Sequence, residues 1–387
     1  MRPSAPIVII GAGMAAYSLA RELRKLDKAT ALTIVSADAA GAYAKPTLSN
    51  AIALGKGAHQ IVSSSAQQMA AQLDAEILPH TRVTAIDPAA RTLTLDSGAR
   101  LAWHALVLAT GAHPIRLPMA GDAADEVLSV NHVDDYAILR RRLDEAGPTA
   151  RVAIIGAGLI GCEFADDLAA GGHHVTLIDP NPRPLAALAA PSLSLRLMRA
   201  WEARSVSLRL GTTAIAVNRA GAALALTLAD GGVVDADVVI SAVGLRPSVT
   251  LAQAAGVAVR RGILVDAFGQ TSADGIYALG DCAEYTTAGG SSVLPYVTPM
   301  LTAARAIAAT LAGARTAIEL KPDAVIVKTP SLKLALAPPP PGTSGQWVDE
   351  EDGERIVARF VDAQGKLHGF GLSAHTPALR AKLLAEL

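Results

Sequence analysis

Ile7-Val8-Ile9-Ile10-Gly11-Ala12-Gly13-Met14-Ala15-Ala16 opens this chain, and Val152-Ala153-Ile154-Ile155-Gly156-Ala157-Gly158-Leu159-Ile160-Gly161 repeats its pattern far downstream. Each stretch is a short apolar run rich in β-branched residues, as a strand buried on both faces requires. A glycine-rich turn follows each run, then a helical pattern, through Lys25 in the first copy and over Cys162–Ala170 in the second. Leu32–Val35 and Val175–Ile178 supply the next strands. Two βαβ units therefore share one chain, and a repeat of this kind sets the architecture.

The turns carry the chemistry. Gly11 permits a tight turn, Gly13 places no side chain against an approaching phosphate, and Ala16 keeps helix and strand close. Gly156, Gly158 and Gly161 do the same in the second copy. The helix N-terminus adds free N–H groups and a positive dipole end, so each unit is predicted to bind the pyrophosphate of a dinucleotide. Asp179 closes the second strand of the second copy, where a carboxylate accepts hydrogen bonds from a ribose 2′-OH and repels a 2′-phosphate. NADH is thus favoured over NADPH, although Arg183 nearby offers a phosphate a partner. In the first copy Ser36 stands where that acid is expected, with Asp38 two residues late. Backbone and Ser36 are expected to hold the ribose there.

Between and beyond the two units lie matching phrases, Leu106–Ala112 with Pro114 after it and Val238–Gly244 with Pro247 after it. Ile276–Ala278 reads as another strand and Pro299–Leu311 as a helix. From about Leu320 the pattern changes to short alternating strands at Val325–Lys328, Ile356–Phe360 and His368–Leu372, with Pro338–Pro341 intervening. The fold class expected is α/β: two Rossmann-like dinucleotide-binding domains, the first interrupted by the second, plus a small α+β C-terminal domain. The expected boundaries are 1–116 with 246–318, 117–245, and 319–387.

Composition agrees with this reading and removes others. Of 387 residues 51% are hydrophobic and 18% charged, so every segment can contribute to a core. The net charge of −1 and the absence of a basic block argue against a nucleic-acid partner. No run reaches the roughly 20 apolar residues that a membrane-spanning helix needs. The N-terminal residues lack the charged and apolar regions of a signal peptide, and a cytoplasmic location is expected. The two cysteines, Cys162 and Cys282, form neither a CxxC nor a zinc pattern. They read as buried packers, and no metal site is expected.

Taken together, Gly11-x-Gly13-x-x-Ala16, Ala109-Thr110-Gly111, Gly156-x-Gly158-x-x-Gly161-x-Glu163 and Gly280-Asp281 resemble the FAD-dependent pyridine nucleotide–disulfide oxidoreductase superfamily. The resemblance implies FAD in the first cradle and NAD(H) in the second. On that basis the FAD contacts are Ile10, Gly11, Ala12, Gly13, Met14, Ala16, Ser36, Ala37, Lys45, Val83, Thr110, Gly111, Glu163, Asp281, Val297 and Lys328. The NAD contacts are Gly156, Gly158, Gly161, Asp179 and Gly244. It implies further that Asp281 bonds the ribityl chain, that the helix from Val297 points its N-terminus at the flavin ring, and that Lys45 pairs with Glu163 beside that ring. Lys45 could equally be a surface lysine, Glu163 a first-turn acid, and Lys328 a strand lysine facing water.

Tyr43-Ala44-Lys45-Pro46-Thr47-Leu48-Ser49 resembles the lysine-proline segment of rubredoxin reductases and their ferredoxin-reductase relatives. Val327-Lys328-Thr329-Pro330, Pro338–Pro341 and Gly345-Gln346-Trp347 are similar to the rubredoxin reductase tail. The implied reaction passes electrons from NADH through FAD to rubredoxin, a small acidic carrier, and so to alkane hydroxylases. With no cysteine in Thr47–Ile52, electrons would leave directly from the flavin edge. Lys333 and Arg305 are candidate docking cations. The alternatives are a ferredoxin or flavorubredoxin reductase, an oxidase or coenzyme-A-disulfide reductase relative that the missing cysteine disfavours, and a non-enzymatic FAD-binding redox sensor.

Overall fold

Four β-branched residues with no polar side chain among them make Ile7–Ile10 a strand that can survive only with both faces covered, and all four are buried. In the computed structural model, which describes residues 5–287, 290–353 and 355–387, this strand is the centre of a five-stranded parallel sheet. Its order is Ile276–Ala278, Ala105–Leu108, Ile7–Ile10, Leu32–Val35, Glu76–Leu78. Ile10 registers with Val35 on one side and Leu108 on the other. Helices Met14–Leu26 and Val297–Leu311 pack together, and Leu19, Leu23, Val107 and Ile307 are fully buried in the shared core. An antiparallel meander, Val83–Asp87, Thr92–Leu95 and Arg100–Ala102, follows the outermost strand in sequence. These elements form one unit: Met1–Lys45, Val62–His113 and Leu245–Lys321.

The second unit comprises Pro46–Ile61, Pro114–Gly244 and Pro322–Leu387. Its parallel sheet runs Val206–Leu210, His174–Asp179, Arg151–Ile155, Val238–Ser241. It too carries a three-stranded antiparallel meander, Ala214–Ala220, Ala223–Leu228 and Val233–Ala236. The repeat seen in the sequence thus extends past the βαβ units. Ile155 registers with Ile178 and with Ser241 as Ile10 does with Val35 and Leu108, so Asp179 is the counterpart of Ser36 and Gly244 of Gly111.

The tail folds as a five-stranded antiparallel sheet in the order Val325–Val327, Leu334–Ala337, Leu367–Ser373, Arg355–Val361, Gln346–Asp352, with helix Pro377–Glu386 on it. Two of these strands, Leu334–Ala337 and Gln346–Asp352, go beyond the three expected. Phe370, Leu372 and Leu383 are fully buried in a core of its own. Expected as a separate domain, this sheet clusters with the second unit, where helix Pro191–Glu202 packs on two of its strands. Residues 46–61, placed in the first domain by the sequence reading, also cluster there.

Candidate functional site: two dinucleotide cradles and a buried glutamate paired with a lysine

The two glycine turns have one geometry. Gly11 and Gly156 have φ of +106° and +108°, a region closed to most side chains. A Cβ would also lie 2.3 Å from the Ala109 oxygen at Gly11 and 2.7 Å from the Ala242 oxygen at Gly156. Gly11 donates to the Val35 oxygen at 2.8 Å and Gly156 to the Ile178 oxygen at 2.7 Å. Gly13 and Gly158 are the N-caps of helices Met14–Leu26 and Leu159–Ala170, with no side-chain cap and no acid in either first turn. Among the described residues nothing lies within 4 Å of a Cβ built on either glycine. Unspent N–H groups, a positive helix end and open space are what an anionic pyrophosphate needs, so both cradles fit a dinucleotide. Ala12 and Ala16 are buried beneath the first turn, and Met14 is partly buried.

Beside the first cradle the segment Ser36–Asp38 is knitted to Pro79–Arg82. Thr81 donates to the Ser36 oxygen and His80 to the Asp38 oxygen, both at 2.8 Å. Ser36 donates its hydroxyl to Asp38 at 2.7 Å. This brings Ser36 and the exposed Ala37 near Val83, which begins the next strand. In the second cradle Asp179 is 8% exposed and braces the turn. Its Oδ2 accepts from the Ala157 N–H at 2.6 Å, and its Oδ1 accepts twice from Asn181 at 2.8 Å. An ionised carboxylate oxygen such as Oδ2 has capacity for more than the one bond from Ala157. The Ala157 oxygen in turn accepts from Leu185 N–H at 2.8 Å, and Leu185 reaches it with a φ of +54°.

Thr110 and Gly111 lie on the turn after strand Ala105–Leu108 of the first sheet, and Gly244 on the turn after strand Val238–Ser241 of the second. The Thr110 hydroxyl donates to the Ser248 oxygen at 2.9 Å, and Gly111 and Gly244 take positive φ. Asp281 sits in the 3-10 turn Gly280–Cys282 after strand Ile276–Ala278. The Gly280 N–H donates to the Tyr285 hydroxyl at 2.9 Å, and burial pushes the Tyr285 pKa up. Helix Val297–Leu311 packs on this turn and starts without a side-chain cap or first-turn acid. Val297 itself is 40% exposed.

Within its own unit, each member of the expected Lys45–Glu163 pair meets another residue. Lys45 pairs with Asp281 at 3.5 Å. Glu163, 1% exposed, pairs with Lys328 Nζ at 2.9 Å and accepts the Lys328 N–H at 3.0 Å and the Ser49 hydroxyl at 2.5 Å. Lys328 Nζ also donates to the Pro46 oxygen at 2.6 Å. A carboxylate this deeply buried must be matched by donors, and Lys328, its side chain still 36% exposed, supplies two of them, its Nζ and its backbone N–H. Ser49, Asp166 and Asp167 escaped the sequence reading. Their signal was two acids inside the apolar run Phe164-Ala165-Asp166-Asp167-Leu168.

Both thiols are buried and both thiol pKa values are raised, chiefly by burial. Cys162 donates to the Ala157 oxygen and Cys282 to the Leu108 oxygen, each at 3.3 Å. They pack and brace the two cradles. Among the described residues no group of metal-ligating side chains occurs, and no helix is long and apolar enough to cross a membrane. Lys333 is exposed, and the Arg305 side chain is 65% exposed with Glu22 4.0 Å away.

Comparison with known proteins agrees with this geometry. Residues 5–310 match the family model described as pyridine nucleotide-disulphide oxidoreductase, and residues 317–387 match that of a rubredoxin binding C-terminal domain. The chain is 42% identical to a rubredoxin-NAD(+) reductase of Acinetobacter baylyi, over 99% of this chain and 97% of the relative. It is 38% identical to a nitric oxide reductase FlRd-NAD(+) reductase of Aeromonas salmonicida, over 99% and 97%. Among solved structures, a ferredoxin reductase from Rhodopseudomonas palustris superposes with a TM-score of 0.86 at 27% identity, over 96% of this chain and 91% of that one. The chain therefore belongs to the pyridine nucleotide-disulphide oxidoreductase family.

Proposed function

We propose that this protein is an NADH-dependent FAD enzyme that reduces rubredoxin, working in the cytoplasm and supplying rubredoxin-dependent alkane hydroxylation. The observation that carries the reading is the match of residues 317–387 to a rubredoxin binding domain on a chain with two dinucleotide cradles. Bound FAD supplies the conversion of a two-electron donor into single electrons. The protein's part is to hold and orient. Ile10 to Met14 and Ala16 would cradle the FAD pyrophosphate, with Ser36, Ala37 and Val83 at its adenosine. Thr110, Gly111, Lys45, Asp281 and Val297 would line the flavin side, together with Lys328 and Glu163. Gly156, Gly158, Gly161 and Gly244 would hold NADH, with Asp179 on the adenosine ribose. Two buried, protonated thiols leave no internal disulfide to carry electrons onward, which suits an external acceptor.

Relatives named as FlRd-NAD(+) reductases at 38% identity favour one second reading, a flavorubredoxin acceptor. One assay separates the two. Purified protein should carry a yellow flavin that NADH bleaches. Its kcat/KM should be highest for rubredoxin among rubredoxin, ferredoxin and the flavorubredoxin rubredoxin domain. A higher kcat/KM for either other carrier, or for NADPH over NADH, would overturn the corresponding part of the proposal.

A further inference from the structure

Helix Leu159–Ala170 starts at the second cradle and carries three acids on its buried face. Glu163 and Asp166 are 1% exposed and Asp167 is 4% exposed. Each is matched by hydrogen-bond donors from chain segments remote in sequence. Asp167 accepts the N–H groups of Ile52 and Ala53 at 2.7 and 3.1 Å. Asp166 accepts the Ser331 N–H at 3.0 Å and the Ser331 hydroxyl, and also the Trp201 indole N–H at 2.8 Å. Glu163 accepts from Ser49 and Lys328. One helix face therefore binds two strips of chain and the Trp201 indole. Residues 49–53 follow Lys45 in sequence, and residues 328–331 begin with Lys328.

Buried carboxylates are costly unless fully bonded, and a fully bonded one tolerates little movement of its donors. Two backbone N–H groups on one carboxylate fix a peptide segment more tightly than a single side-chain contact. The Ser331 contacts hold the chain three residues beyond Lys328. We propose that Asp166 and Asp167 are positioning residues that fix the Lys328 segment and the segment following Lys45, so that the Glu163–Lys328 pair keeps one geometry during flavin reduction. This rests on the functional reading for its kinetic consequence, while the local claim concerns the chain alone.

The test uses the FAD-loaded full chain and the variants Asp166→Asn and Asp167→Asn. Asparagine keeps the shape but offers one acceptor oxygen in place of two. Hydrogen exchange should accelerate at least about tenfold over residues 49–53 in Asp167→Asn and over 328–333 in Asp166→Asn. In stopped-flow reduction by NADH the limiting rate should fall about tenfold while half-saturating NADH moves less than about twofold, because misplaced groups slow the chemistry and the cradle is untouched. In a Lys328→Met background, Asp166→Asn should add no further kinetic loss. Ser331→Ala, which removes one donor and leaves the carboxylate in place, should give a weaker form of the same pattern if Asp166→Asn does not fold.

Faster exchange with an unchanged limiting rate would overturn the proposal, since the acids would then be structural alone. So would a fully additive loss in the Lys328→Met background, or an effect confined to half-saturating NADH. A native protein that binds FAD but is not reduced by NADH would overturn the functional reading instead. The exchange experiment and the visible flavin spectrum would then decide the present proposal: both should change in Asp166→Asn, and a native-like spectrum would count against it.

Discussion

Gly161 and Ala16 occupy the same place in two copies of one turn, yet they are not interchangeable. A Cβ at Gly161 would stand 1.8 Å from the Gly156 oxygen, whereas Ala16 carries its methyl fully buried in the first copy. The second helix therefore sits closer to its turn than the first. Gly161→Ala must push that helix away, and overpacking of this kind costs about 1–3 kcal/mol. The expected outcome is a lower unfolding midpoint and an NADH half-saturation raised about tenfold, with retained FAD content unchanged. Titrating flavin reduction against NADH checks it, and an unchanged half-saturation would show that the turn yields freely. Ser36 and Asp179 are a second such pair. The hydroxyl of Ser36 is turned to Asp38, while the Asp179 carboxylate braces its own glycine turn through Ala157.

At the scale of the element, helix Leu159–Ala170 is the most heavily used part of the chain. Its first turn forms a cradle, its middle holds three acids, and just past its end lies His173, 6% exposed. Among the described residues the Nδ1 atom of His173 has no hydrogen-bond partner. Burial first, and the Arg140 charge second, hold its pKa below the usual 6.5. The sign follows from that direction. The folded state keeps the ring neutral, whereas the unfolded chain takes up a proton as pH falls through about 6.5. This contribution to stability is therefore complete above pH 6.5 and is lost progressively as pH falls toward the depressed native value. His173→Gln should flatten that part of the pH dependence. Urea midpoints measured from pH 8 down to pH 5 test it, and an identical slope in wild type and variant would remove His173 as the cause.

Over the whole molecule the duplication is the governing fact. Parallel sheet, glycine turn, helix and antiparallel meander occur once in each unit, so two dinucleotides can be held by one construction used twice. Residues 317–387 match a rubredoxin binding domain. With a net charge of −1, long-range attraction for an acidic carrier cannot come from the total charge and must come from a local patch, for which the exposed Lys333 is a candidate. Salt screens such a patch within about 8–10 Å at ordinary ionic strength. On the proposed function, kcat/KM for rubredoxin should fall several-fold, on the order of tenfold, from low to high salt. Flavin reduction by NADH should change little. A flat rubredoxin profile would mean that docking is not steered by charge.

What could be read from the residues in order was whatever ten or so neighbours decide among themselves. An apolar β-branched run followed by Gly-x-Gly has few backbone solutions, so both cradles, their strands and the α/β class were legible before any coordinate. That Cys162 and Cys282 form no CxxC was equally plain. The partners of Glu163 were not legible. The resemblance pointed to Lys45; within the second unit the tertiary structure also brings Lys328 to Glu163 from far along the chain, and within the first it pairs Lys45 with Asp281. Nor was it legible that residues 46–61 and the C-terminal sheet cluster with the second cradle. The physical reason is the same in each case. A buried charge is satisfied by whichever donor the fold delivers to within about 3 Å, and that delivery depends on how distant segments pack. Local sequence sets the backbone path, whereas only the folded chain decides which ions meet.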